Sequence, residues 1–194
     1  MQPSYINLLS LSPCTKEVPY LGTGIAREDG QINHGFKNLI TYPDLIDAIP
    51  ELATDRSMKS LVYLLNTETS RFFTTGCFSG EVQEKSGYRY HGYLNFSWNC
   101  QVCVRDAINY FSLFFHFEQF LYTQKFDQKV KFQWTIEQTH FLDLDLAGFC
   151  CAIFINTDCC RSGDIAEATW KSSLKVLETF LGSVPGQSAQ KIYY

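Results

Sequence analysis

From Glu51 to Val184 the chain contains no proline. Proline interrupts helices and central strands, so regular structure is expected to concentrate in that stretch. Long apolar runs are absent too. The longest, Leu146 to Ile155, covers ten residues, against the about 20 that a membrane helix needs. Basic runs are equally scarce: the densest group is Lys125, Lys129 and Lys131, in a chain of net charge −4. Nucleic-acid binding needs a basic stripe that neutralises phosphates, so no nucleic-acid partner is expected. The opening MQPSYINLLSLSPC has neither the Lys nor the Arg of a secretory leader. The expectation is therefore a soluble, cytoplasmic protein with no membrane partner, whose cysteines stay reduced.

The 194 residues suffice for one domain with a substantial core, taken here as 1–194. The hydrophobic fraction of 45% against 19% charged places the chain among globular proteins. Sixteen Phe and eleven Tyr predict an aromatic-rich core, and supply the side chains that an apolar pocket uses.

Residues 12–35 hold Pro13, Pro19, Gly22, Gly24, Gly30 and Gly35 and read as a long irregular loop. A helix is predicted over 43–54, limited by Pro50. Residues 59–66 and 71–78 read as strands joined by a short polar turn, followed by a Gly-bearing loop. The clearest strand is 88–98, where Tyr88, Tyr90, Leu94, Phe96 and Trp98 alternate with more polar residues. A long helix is predicted over 102–123. Strands follow at 129–141, which alternates, and 148–156, which is apolar on both phases. The last helix covers 164–181, with Asp164 and Glu167 in a capping-box spacing. The tail, 185–194, reads as loose. The order strand, helix, three strands, helix, two strands, helix implies antiparallel pairing. The predicted fold is α+β: a single antiparallel sheet of about five or six strands, with two long helices packed on one face.

Six of the eight cysteines form close pairs: Cys100/Cys103, Cys150/Cys151 and Cys159/Cys160. Paired thiols can bind metal or cycle through a disulfide. Cys100-Gln-Val-Cys103 falls where a strand hands over to a helix, a setting that favours the thiolate. The βαβ context and facing proline of a thioredoxin-like site are missing. For zinc, Cys100 and Cys103 supply half of a tetrahedral set that Cys159/Cys160 or His91 would complete, although adjacent cysteines chelate poorly. His140, Asp143 and Asp145 offer an imidazole and two carboxylates for acid–base work. An unbulged strand would turn His140 inward, in phase with Val130, Phe132, Trp134 and Ile136, and away from both Asp residues. Gly22-Thr-Gly24 is half a glycine fingerprint and reads as a turn.

No motif fixes a reaction. The sequence favours a non-catalytic intracellular binding module, regulatory or inhibitory in character, for a protein partner or a small apolar ligand. The alternative is a thiol-redox or zinc protein using Cys100/Cys103 and Cys159/Cys160. For a ligand, the expected lining is Tyr90, Phe96, Trp98, Phe111 and Trp134, beneath helix 102–123. No cofactor is implied beyond zinc in that alternative. Self-association through an aromatic patch or sheet edge is compatible with the sequence.

Overall fold

The computed structural model describes residues 4–22, 33–185 and 190–193. Residues 23–32, with Gly24 and Gly30, and 186–189 lie outside the described set. Five strands form one mixed sheet: β1 (Tyr5–Val18), β2 (Phe72–Glu84), β3 (Gly87–Trp98), β4 (Val130–Phe141) and β5 (Leu146–Thr157). Their order is β1-β4-β5-β3-β2. All neighbours are antiparallel except β1 and β4, which run parallel. This corrects the purely antiparallel expectation. A strand near the N-terminus that pairs with one 125 positions later, Tyr5 against Val130, has no hairpin to set its direction.

Four α-helices accompany the sheet: α1 (Arg56–Leu65), α2 (Gln101–Val104), α3 (Ile108–Leu121) and α4 (Gly163–Ser183). The strand predicted at 59–66 is α1. Met58, Leu61, Val62 and Leu65 share its buried face, and the Asp55 side chain accepts from Met58 N–H at its start. The helix predicted at 43–54 is two short 3₁₀ turns, Pro43–Ala48 and Pro50–Leu52, split by Pro50. The helix predicted at 102–123 breaks between α2 and α3. There the Asp106 carboxylate accepts from Ile108 N–H at 2.9 Å, a local bond that competes with the helix ladder. The cap of α4 is Ser162, not Asp164. The Gly-bearing loop is the tip of the β2–β3 hairpin, and residues 12–18 belong to β1 rather than to an irregular segment.

The main core lies between one sheet face and the helices. Leu94 and Phe96, Phe132 and Trp134, and Ile153 and Ile155 supply its floor from β3, β4 and β5. Phe117 of α3 stacks obliquely on Trp134 and on Phe180 of α4, and meets Phe132 edge-on. Trp170 of α4 donates its indole N–H to buried Asp55 at 2.7 Å, tying α4 to the α1 cap. Each fully buried side chain of this size stabilises the fold by roughly 1.5–3 kcal/mol. The β3–β5 ladder stops at Phe96–Cys151. Beyond it the Tyr110 hydroxyl enters the gap, donating to Phe149 C=O at 2.6 Å and accepting from Trp98 N–H at 3.4 Å.

Past Ile136 the buried phase of β4 inverts: Gln138 is exposed, while Thr139 and Phe141 are buried. A second aromatic cluster occupies the opposite sheet face there, joining Phe36, Phe73, Phe141 and Tyr193. Tyr193 belongs to the tail expected to be loose. Asn99 anchors it, accepting from the N–H groups of Ile192 and Tyr193 and donating to Tyr193 C=O.

Candidate functional site

The cysteine pairs do not converge. Cys100 follows the C-terminal end of β3. Cys160 bridges Tyr88 at the other end, exchanging backbone hydrogen bonds of 2.7 and 2.9 Å. A strand of that length spans about 30 Å, so Cys100/Cys103 and Cys159/Cys160 cannot share one metal. Among the described residues no group of three or more His, Cys, Asp or Glu is placed to hold a metal ion. Cys100 Sγ accepts from Cys103 N–H, capping a helix of only four residues. Burial, and then Cys100, push the Cys103 thiol up to about 11, and Arg71 offsets this only in part. Cys103 is thus a thiol rather than a thiolate at neutral pH. Burial likewise raises the thiols of Cys151 and Cys160.

His140 and Asp145 do meet, against the strand-phase expectation. A 3₁₀ turn at Leu142–Leu144 and left-handed Asp145 (φ 46°) fold the chain back, leaving the two 2.9 Å apart. Asp143 points elsewhere, 3.5 Å from the Tyr193 hydroxyl. The pair is open to water, with Asp145 94% exposed, and neither residue lines the large cavity.

Of the five residues expected to line a ligand pocket, Phe96, Trp98 and Trp134 are core side chains. Phe96 and Phe114 both pack edge-on against Trp134. Tyr90 stacks on Trp170, and Phe111 is half-buried against the same core. None of the five lines the large cavity.

That cavity, about 600 Å³, lies toward the opposite sheet face, along edge strand β2. The end of β1 supplies Lys16. The bulged segment Thr74–Phe78 of β2 and Tyr93 of β3 supply a wall, with Ile49 and Glu51 beside them. Tyr20, His34, Phe36 and Lys37 close it from the connecting segment. The two arms of that segment are pinned together: Phe36 N–H donates to Tyr20 C=O at 2.9 Å. Gly22 and Gly35 are in backbone contact, since a Cβ on Gly35 would stand 2.5 Å from Gly22 N, and Gly35 has φ +77°. Only glycine fits there. The turn expected at Gly22-Thr-Gly24 lies mostly outside the described residues.

Lys16 is the chemically distinctive group. Its ammonium contacts Thr75 Oγ1 at 3.3 Å and lies 5.2 Å from the centre of the Tyr20 ring. The Thr75 hydroxyl donates in turn to Asn95 Oδ1 at 3.0 Å. The Tyr20 hydroxyl is committed to Thr75 C=O at 2.7 Å. No carboxylate forms an ion pair with Lys16 among the described residues. Burial lowers the Lys16 pKa; Cys150 and Glu137, beneath it on the same sheet face, offset this only in part. Burial holds Cys150 up at about 11 and Cys77 up at about 12. It also raises the Tyr20 phenol. The site therefore offers a desolvated amine with spare donors among aromatic walls and protonated thiols. Sequence reasoning missed it. A lysine between Pro13 and Pro19 reads as solvated, and its burial comes from Tyr20, Thr75 and Tyr93, which are distant or loop-borne.

Comparisons of the chain with known protein families, with curated proteins and with solved structures find no match.

Proposed function

We propose that this chain is a binding module for a small molecule, held in the Lys16 cleft by aromatic walls around a polar head. The observation that supports this reading best is an ammonium inside a 600 Å³ cavity with one hydrogen-bond partner among the described residues, Thr75. An ammonium has three donors, so two remain for an oxygen of the ligand. Tyr20, Phe36, Phe78 and Tyr93 provide apolar surface for its body. Ligand pockets of 300–1,000 Å³ combine these two ingredients in the same way. The proposal keeps the module in a reducing compartment, where its eight free cysteines persist as thiols. No described helix is long and apolar enough to cross a membrane.

A protein partner is the second reading. It draws on the uncovered part of the same sheet face, where Phe154 is 39% and Leu8 45% exposed, and where Phe78, Tyr93 and Phe154 form a row of ring contacts.

A plug separates the two readings. A Cβ on Gly76 would stand 3.3 Å from the Tyr20 hydroxyl and 3.8 Å from Tyr93 Cε2, two walls of the cleft. In Gly76→Leu the added side chain should therefore occupy ligand space. Binding of anilinonaphthalene sulfonate, an aromatic anion, is expected to weaken by at least about tenfold in the plugged variant, or 1.4 kcal/mol. Unchanged binding in a folded Gly76→Leu protein would remove the cleft as the binding site.

A further inference from the structure

We infer that Lys16 is a nucleophilic amine that captures aldehydes or ketones as imines inside the cleft. This rests on the small-molecule reading above and specifies the ligand's head as a carbonyl. Three observations carry it. Lys16 Nζ faces a cavity large enough for a small aromatic carbonyl compound. It is held by one hydroxyl, Thr75 Oγ1, and by no ion pair among the described residues, so neither a carboxylate nor a dense bond network has to be broken before attack. The other nucleophiles nearby are engaged: burial keeps Cys77 and Cys150 protonated, Tyr20 donates to Thr75 C=O, and the Lys37 ammonium donates to His34 C=O at 2.8 Å.

The step balances without a co-reactant. The ammonium first gives one proton to solvent at the cleft mouth. The freed nitrogen lone pair forms the N–C bond, and the C=O π pair moves to oxygen. The two remaining N–H protons pass through solvent to that oxygen, which leaves the carbinolamine as water while the nitrogen lone pair forms C=N, giving the imine. No electrons are transferred and no oxidant is needed. Desolvation of this half-buried lysine favours the neutral amine that starts the sequence. The groups facing Lys16 set its pH response. Glu137 from β4 opposes the burial effect, and protonated Cys150 from β5, Thr75 from β2 and the Tyr20 ring carry no charge at neutral pH. Its free-amine fraction should therefore rise at a lower pH than that of an ordinary lysine.

The test is reductive trapping on the full wild-type chain. Benzaldehyde and cyanoborohydride are added at neutral pH, and benzylated lysines are timed by peptide mass spectrometry. Binding of benzyl alcohol, which cannot form an imine, is followed in parallel by protein NMR. Lys16 is expected to be modified first, roughly tenfold or more ahead of exposed Lys125 and Lys129, through proximity and a freer amine together. In Lys16→Arg the fast phase should vanish, while Lys125 and Lys129 keep their slow rates. If benzyl alcohol binds the cleft but Lys16 labels no faster than Lys125, the imine proposal is overturned and the binding reading survives. If benzyl alcohol does not bind and Lys16 labels slowly, both fall.

Discussion

Two tryptophans of equal burial should respond very differently to the same substitution. Trp170 and Trp134 are 1% and 0% exposed. Changing either to Phe deletes the same atoms from a packed core, so the volume terms are similar. Their indole N–H groups differ. Trp170 donates to Asp55 Oδ2 at 2.7 Å, and the other oxygen of that carboxylate caps α1 through Met58 N–H at 2.9 Å. Trp134 Nε1 is buried with no acceptor. Trp170→Phe therefore loses a hydrogen bond to a carboxylate, about 1.5–3 kcal/mol, and leaves a buried oxygen short of a donor. Trp134→Phe removes an unsatisfied donor, which returns part of the packing loss. The difference between the two variants should be at least about 2 kcal/mol, with Trp170→Phe the less stable. Urea unfolding followed by far-UV circular dichroism measures it. A double-mutant cycle with Asp55→Asn should recover a coupling of about 1–3 kcal/mol. Equal losses, or a greater loss in Trp134→Phe, would refute the assigned roles of the two N–H groups.

The hinge of the cleft and the thiols give two further predictions. Gly35→Ala should destabilise by about 1–3 kcal/mol, because φ +77° and a Cβ only 2.5 Å from Gly22 N both oppose it; a thermal midpoint unchanged within about 1 °C would contradict the described packing. Ellman titration of the native protein should show exposed Cys14 and Cys159 reacting early, with Cys150 and Cys151 released only on unfolding. Because those buried pKa values are raised, the thiolate fraction grows with pH, and their labelling should accelerate only toward alkaline pH. Rapid labelling of Cys150 at neutral pH would overturn the silenced-thiol argument.

Local periodicity made much of the architecture legible. The alternation in 88–98 and 129–141 and the apolar stripe of 164–181 correspond to β3, β4 and α4. Where periodicity was ambiguous, reading failed. The run KSLVYLLN suits a buried strand or a buried helix equally, and the deciding signal was Asp55, four residues upstream. The inversion of β4 beyond Ile136 has no trace in the sequence of β4 itself. It depends on Phe36, Phe73 and Tyr193 covering the other face. The same holds for the cleft. Lys16, Thr75 and Asn95 are far apart in the chain, on strands β1, β2 and β3, and meet only in the folded sheet. Cysteine spacing drew attention because it is local, yet the pairs it joined sit at opposite ends of one strand.

The most direct test of the central claim is a chemical-shift map. Isotope-labelled protein would be titrated with benzaldehyde, and the perturbed backbone amides assigned. The cleft account predicts perturbations centred on Lys16, Thr75, Gly76 and Tyr93, with the helix-covered face around Phe96, Phe111 and Trp134 unmoved. Perturbations centred on Phe111 and Trp134, or none at millimolar benzaldehyde, would contradict it.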